Sequence, residues 1–435
     1  MSKILSLFLS LLTAFSMLYG KTAIVKAPAD TGAFTPVIRF IAASDTHVEA
    51  LFDIESRRIQ KALRLGYAIA DADEEYNALD AILIAGDLTD DGRKDQFSAV
   101  SVALNSCLRA ETRFLGVTAA SHDGNTMSRK EVHEYYTALT GNSADFHTVI
   151  NGFHFIGLSA SDDDGAHYDA GQIAWLRAQL EEATAEDPTK PVFVTHHEHV
   201  RNTVYGSSDF EGWGVPYFTD VLNDFPQVVD FSGHSHYPLN DPRSVWQGAF
   251  TAVGTGAIYY AEFTIDDVRT YHPQDSRQVV TCWIVEADAA NRVRLRGLDV
   301  LAQEYLCEYI LENPADPTNR SYTPEERAAA SRAPVFAADA AVKTVRIGGR
   351  CDCTVPAARS ADGMPVTLYR ASAYDQYGNE AASAWTLPKY YVAGKEKNVT
   401  VRLTDLPKGT YEIRVVAETA YGVDSEPLTA EITVR

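Results

Sequence analysis

An α/β fold followed by a C-terminal all-β sandwich is what this sequence predicts, on three observations. From Val37 to about Val300, short apolar runs of strand character alternate with helical patterns, the texture of sheets covered by helices. Between Asn313 and Pro334 a polar, alanine-rich stretch is punctuated by Pro314, Pro317, Pro324 and Pro334, which reads as a linker with one helix. Beyond it the chain shows only strand-and-turn patterns, suited to a small antiparallel sandwich. A chain of 435 residues is too long for one ordinary core. The expected organisation is a signal peptide over 1–20, an α/β domain over 30–310, a linker over 311–334 and a β-sandwich over 335–435.

The elements follow in order. Lys3 and the apolar run Ile4 to Tyr19 read as an export signal with a cut near Gly20, too short for a membrane anchor. The expected location is therefore secreted, periplasmic or cell surface, with no transmembrane segment after cleavage. Val37 to Ala43 reads as a buried strand leading to Asp45, and Arg58 to Tyr76 as a helix with Ile59, Leu63, Leu65, Ile69 and Ala70 on its apolar side. Ala81 to Ala85 leads to Asp87, Phe114 to Val117 toward His122, and Phe153 to Leu158 is a further strand. Asp162-Asp163-Asp164 reads as a turn. Asp169 is a good N-cap for a helix through Ile173, Leu176 and Leu180. Pro191 to Val194 leads into His196, and Val228 to Phe231 into His234. In the C-terminal part, Tyr411 to Ala417 and Leu428 to Val434 alternate on either side of a Tyr421-Gly422 turn.

A hydrophobic content of 46% with 22% charged residues is the profile of a soluble globular protein. The formal net charge of −21 repels nucleic acid and anionic membrane, so neither is an expected partner. A phosphate group would need a local, strongly positive attractor, and bound metal ions supply one. The five cysteines are an odd, sparse set and not a disulfide framework. Cys351 and Cys353 would share one face of a strand.

Carboxylates and imidazoles gather just after the apolar runs: Asp45-Thr46-His47, Gly86-Asp87, Ser121-His122-Asp123, His196-His197 and Gly233-His234-Ser235-His236. Strand ends are where an α/β protein puts its chemistry. Phosphoester hydrolysis needs an activated water, neutralised phosphoryl oxygens and a protonated leaving group. Two cations roughly 3.5–4 Å apart provide the first two. They need a bridging carboxylate and imidazole or oxygen ligands with open positions. Asp45 and His47, and likewise His234 and His236, lie two apart and would project to one side of an extended segment.

These motifs, in this order, resemble the calcineurin-like metallophosphoesterases, whose pattern is D-x-H, G-D, G-N-H-D/E, H and G-H-x-H, over about Val37 to Ala261. The resemblance implies two facing β-sheets flanked by helices and a phosphoester hydrolase with two metal ions acting on a small phosphoester; the N-terminal run makes the expected enzyme an exported one, and mixed Asp/His shells accept iron, manganese or zinc. It assigns Asp45, His47 and His236 to one metal, Asp87 as the bridge, and His196 (with His197 as the adjacent rival) and His234 to the second. It makes His122 the proton donor to the leaving group, with Asp123 orienting its imidazole. Ser121 stands where the family has an Asn that completes the second metal's shell. The expected consequence is looser binding there, and the alternative reading is a weakened or inactive phosphoesterase fold acting as a surface binding module. The stretch Asp241 to Ser244 is a candidate substrate wall, with Arg243 as a phosphate contact. The C-terminal part resembles a fibronectin type III module, with Tyr411 after Leu406-Pro407-Lys408-Gly409-Thr410 as its tyrosine corner. A spacer or tethering role is expected for it.

Overall fold

A computed structural model describes residues 34–161, 167–209, 213–266, 268–394 and 396–435. The expected signal peptide and the Asp162–Asp164 turn lie outside the described residues.

Two six-stranded mixed sheets face each other. In the first the strand order is Glu304–Leu311, Val293–Asp299, Thr281–Asp288, Pro36–Ala43, Ala81–Ala85 and Arg113–Val117. The last three run parallel and the first three are antiparallel additions. In the second the order is Val245–Gln247, Thr251–Gly254, Val228–Ser232, Val192–Thr195, Phe153–Gly157 and Phe146–Ile150, parallel in the centre and antiparallel at both edges. Phe40 of the first sheet meets Phe155, Phe193 and Phe231 of the second, with ring centroids 5.1, 4.8 and 5.8 Å away. That is the edge-on geometry aromatic rings prefer. Both faces of the central strands are covered, which is why they read as continuous apolar runs.

Helices Ile54–Asp71, Lys94–Asn105 and Arg129–Thr140 are the helical cover of the first sheet, and Ala170–Glu186 belongs to the core of the second. Helix Ile54–Asp71 begins one turn earlier than its apolar pattern suggests, because the Asp53 carboxylate accepts from the Ser56 N–H at 2.7 Å. It also ends earlier. The Asp73 carboxylate accepts from the backbone of Glu75 and Tyr76 at 3.0 and 3.1 Å, offering that segment a turn in place of helix. Asp169 caps its helix as expected, accepting from the Gln172 N–H at 2.8 Å. The proline-punctuated stretch holds one helix, Pro324–Ala330.

The C-terminal part is all β. A three-stranded sheet (Lys343–Ile347, Arg350–Pro356, Asn398–Leu403) accompanies a four-stranded one (Glu380–Thr386, Val366–Tyr374, Gly409–Thr419, Leu428–Val434). Val355, Tyr369, Val401, Ile413 and Val415 fill the space between them. The Tyr411 hydroxyl donates to the Pro407 carbonyl at 3.1 Å, the contact expected of a tyrosine corner. Cys351 and Cys353 are buried free thiols with sulfurs 3.7 Å apart. Among the described residues no helix is long and apolar enough to cross a membrane.

Candidate metal centre

The parallel strands deliver their C-terminal ends to one place. Asp45 and His47 follow strand Pro36–Ala43, Asp87 follows Ala81–Ala85, and Ser121 and His122 follow Arg113–Val117. From the second sheet, His197 follows Val192–Thr195 and His234 follows Val228–Ser232. Asp45, His47 and His236 form one group of converging ligand atoms, and Asp87, His197 and His234 a second.

The two groups touch through Asp87. Its Oδ2 lies 3.2 Å from His197 Nε2 and 3.8 Å from His47 Nε2. That oxygen is buried and has no hydrogen-bond partner, an arrangement that costs stability unless something positive is served. Asp45 Oδ1 is 3.1 Å from His236 Nε2. Imidazole nitrogens also face one another, His47 Nε2 to His236 Nε2 at 3.3 Å and His197 Nε2 to His234 Nδ1 at 3.0 Å. Nitrogens and an orphaned carboxylate oxygen aimed at common points are the donor set that a pair of divalent cations takes. The residues present therefore fit the metals.

The backbone is strained to achieve this. Asp45, His47, Asp87, His234 and His236 all have left-handed conformations, with φ of 52°, 44°, 47°, 70° and 55°. Each costs about 1–3 kcal/mol and persists only where its surroundings fix it. Here the Asp45 N–H donates to Gly86 O at 3.1 Å, and the Thr46 and His47 N–H groups to Asp87 O at 2.8 and 3.0 Å. Gly233 N–H donates to His197 O at 2.8 Å, and His234 N–H to Asp45 Oδ2 at 3.1 Å. The extended geometry expected for D-x-H and H-x-H is thus replaced by tight left-handed turns. Two glycines make the approach feasible. A Cβ on Gly86 would lie 2.6 Å from His197 Nδ1, and one on Gly233 would lie 2.5 Å from Asp45 Oδ2.

Tautomers are set by the other ring nitrogen. His197 Nδ1 lies 2.8 Å from the Ala85 carbonyl, so it carries the proton and leaves Nε2 as a ligand atom. His47 Nδ1 is 3.4 Å from Asp90 Oδ1. Electrostatically, burial would push the Asp87 carboxyl up, but the imidazoles of His197, His47 and His122 hold it well below its ordinary value. Burial would likewise push His197 down, and in the metal-free cluster the carboxylates of Asp87, Asp45 and Glu198 push it well above, so a bound cation would displace a proton from Nε2.

Two expected roles change. His196 is not in the cluster. Successive residues leaving a strand point to opposite sides, so its ring stacks on Phe218 at 4.1 Å with Nε2 3.0 Å from Asp230 Oδ1. The adjacent His197 takes the position instead. Asp123 does not orient His122. Its fully buried carboxylate accepts from the N–H groups of Leu88, Thr89 and Ala119 and from the Thr89 hydroxyl. It ties the loop carrying Asp87 to the end of the neighbouring strand. Burial and the nearby Asp87 push its carboxyl up to about 6, against those donors. Asp90 stands beside His122 in its place. The Asp90 carbonyl is 2.6 Å and its carboxylate 3.8 Å from His122 Nδ1.

Ser121 does reach the cluster. Its hydroxyl donates to Asp87 Oδ1 at 2.7 Å and lies 3.3 Å from His197 Nε2. Arg243 is turned away from any phosphate role, forked onto the Asp241 carboxylate at 2.8 and 2.9 Å and stacked over Tyr205. Three features were not drawn from the sequence. Glu198, fully buried beside His197, accepts from the Tyr168 hydroxyl at 2.7 Å and pairs with His167 at 2.6 Å. Tyr259 stacks on His47 at 4.7 Å, and Tyr260 lies against His236 at 4.2 Å. A carboxylate inside an H-H-E-H run was a visible signal. The tyrosines carried none, because they come from a distant loop.

The family comparison agrees with this geometry: residues 38–238 match the calcineurin-like phosphoesterase family. This region is a calcineurin-like phosphoesterase domain. The matched family implies divalent metal ions, in keeping with the two converging groups of candidate ligands. Among solved structures the chain is similar to the purple acid phosphatase PPD1 from yellow lupin (Lupinus luteus) seeds, at 12% identity and a TM-score of 0.45. The match covers 63% of this chain and 53% of the lupin chain, so this chain spans about half of that protein's length. It is also similar to phosphopantetheinyl hydrolase (PptH) from Mycobacterium tuberculosis, at 13% identity, covering 52% of this chain and 91% of that one with a TM-score of 0.29. No curated protein matches the chain.

Proposed function

We propose that the protein is an exported phosphoester hydrolase with a dinuclear metal centre. The observation that carries this reading is the orphaned Asp87 Oδ2, buried between His47 Nε2 and His197 Nε2. Asp45, His47 and His236 would hold one cation, and His197 and His234 the other, with Ser121 beside it and Asp87 shared. When bound, such a pair supplies an activated water and neutralises the non-bridging oxygens of the phosphoester.

The chain's own residues supply the rest. His122 is half-exposed and stands against His47, with ring centroids 4.3 Å apart. Its Nδ1 faces the Asp90 carbonyl at 2.6 Å, which leaves Nε2 as the nitrogen that would hand a proton to the departing alkoxide. The Asp90 carboxylate lies 3.8 Å from the same Nδ1. Tyr259 and Tyr260 keep the His47 and His236 imidazoles from turning. The apolar run behind Lys3 supports export.

The direct test is metal content by mass spectrometry, with hydrolysis of chromogenic phosphate mono- and diesters in added Mn²⁺. His122→Asn is expected to lower kcat by roughly 100-fold or more while keeping the metal content of the parent. Loss of metal together with rate would remove His122 from the proton-donor role.

The second reading, a surface binding module with a degenerate centre, is favoured by one observation. The Ser121 hydroxyl is spent on the bridging carboxylate, and it is a weaker ligand than an amide oxygen. Ser121→Asn separates the two. The hydrolase reading expects an active parent and a gain below about tenfold, smaller than typical outer-shell changes. A large gain from an inert parent would favour the module.

A further inference from the structure

We propose that the C-terminal sandwich braces the metal centre, with Tyr390 acting as a positioning residue for His236. This rests on the metal-centre reading above. The segment from Gly233 to Asp241 leaves strand Val228–Ser232 and carries two candidate ligands, His234 and His236, both in left-handed backbone conformations. Such a segment keeps its shape only if both ends are fixed. Its entry is fixed within the phosphoesterase domain, by Gly233 N–H on His197 O and His234 N–H on Asp45.

Its exit is fixed by the sandwich. The Asn240 amide donates to the Tyr390 carbonyl at 2.7 Å, and the Tyr390 hydroxyl donates to Asp241 Oδ2 at 3.0 Å. Asp241 is fully buried. Its carboxylate gathers Arg243 and Tyr390 at one point, so the bond from Tyr390 is charge-assisted and desolvated, the stronger kind.

A second route reaches the same histidine. The His236 carbonyl accepts from the Glu262 N–H at 3.2 Å. The residues flanking Glu262, Ala261 and Phe263, sit in an apolar cluster with Leu368 and Tyr391 of the sandwich. The Phe263 and Tyr391 rings are 5.0 Å apart. A tethering module would need neither a tyrosine pair packed against Phe263 nor a bond to a buried carboxylate five residues past His236. The spacer role expected from the sequence gives way to a structural partnership across the chain.

The test uses the full chain, stripped of metal with a chelator and titrated with Mn²⁺ alone, the free ion being counted by electron paramagnetic resonance. Tyr390→Phe removes only the hydroxyl bond to Asp241. Asn240→Ala removes only the other bond. Tyr411→Phe, inside the sandwich and away from the loop, is the structural control. Tyr390→Phe is expected to weaken Mn²⁺ binding about tenfold, and Asn240→Ala to act in the same direction. Tyr411→Phe is expected to lower the melting temperature and leave Mn²⁺ binding unchanged. Parental Mn²⁺ binding in both Tyr390→Phe and Asn240→Ala would overturn the proposal, as would an equal loss in Tyr411→Phe. A parent that binds no Mn²⁺ would overturn the metal-centre reading itself, a separate outcome.

Discussion

Asp87→Ala is expected to abolish both metal retention and hydrolysis. Asp87 links the two groups of candidate ligands, with Oδ2 3.2 Å from His197 Nε2 and 3.8 Å from His47 Nε2. Removing an outer-shell partner of a metal site costs about 10–100-fold. If Asp87 is shared by two cations as proposed, its loss should exceed that, because both would lose an anionic donor and their mutual repulsion would be left unscreened. Alanine also strips Oδ1 from the Ser121 hydroxyl and the His122 N–H, at 2.7 and 3.1 Å, and so frees the loop that carries His122. Asp87→Asn isolates the charge, since its amide oxygen still accepts from His122 N–H. It should keep the melting temperature of the metal-free parent and lose metal and turnover. Measured by mass spectrometry and phosphoester hydrolysis, a metal-loaded, active Asp87→Ala protein would refute the dinuclear assignment.

Glu286→Ala is expected to be the most destabilising single change in the core, by about 3–5 kcal/mol, the cost of stranding buried charge. Glu286 is fully buried on strand Thr281–Asp288. It accepts from Arg39 at 2.6 Å, Arg294 at 2.8 Å and Arg296 at 2.9 Å. Arg39 also reaches the Asp73 carboxylate and the carbonyls of Tyr76 and Ala78, but removing the acid takes one shared anion from three guanidiniums. Burial alone would push the Glu286 carboxyl up, but Arg296, Arg39 and Arg294 hold it below its ordinary value of 4.5. Its folded value is therefore below its unfolded one. The stabilisation is complete above pH 4.5 and is lost as pH falls through the folded value. Denaturant midpoints measured from neutral to acid pH should decline for the parent below that point. In Glu286→Gln the decline should be shallower, from a lower starting stability. A variant as stable as the parent at neutral pH would show that the arginines find other partners.

Much of the cluster was legible because each candidate sits just past a strand whose apolar run announces it. Asp45, Asp87, His234 and His236 do converge, but in left-handed turns and not on the extended segments that the spacing suggested. The choice between His196 and His197 was not legible. Both follow the same strand, and the direction each ring takes depends on which face of the sheet carries Phe218 and Asp230. Asp123 misled for a related reason. Adjacency to His122 in the chain suggested contact, but a short helical turn over His122–Gly124 sends the two side chains apart. Asp90, three residues beyond Asp87, meets the imidazole from a neighbouring loop.

The sequence by itself determined the alternation of strands and helices, the switch to an all-β C-terminus and the order of the metal-binding motifs. These depend on periodicity and on residue type at strand ends, which are local properties of the chain. The tertiary structure alone decided which of two neighbouring histidines enters the cluster, which acid serves His122, and that Tyr390 reaches back to Asp241. Each of these depends on side-chain direction and on contacts between segments as far as 150 residues apart. No local pattern encodes such contacts, because they exist only once both sheets and the sandwich have packed.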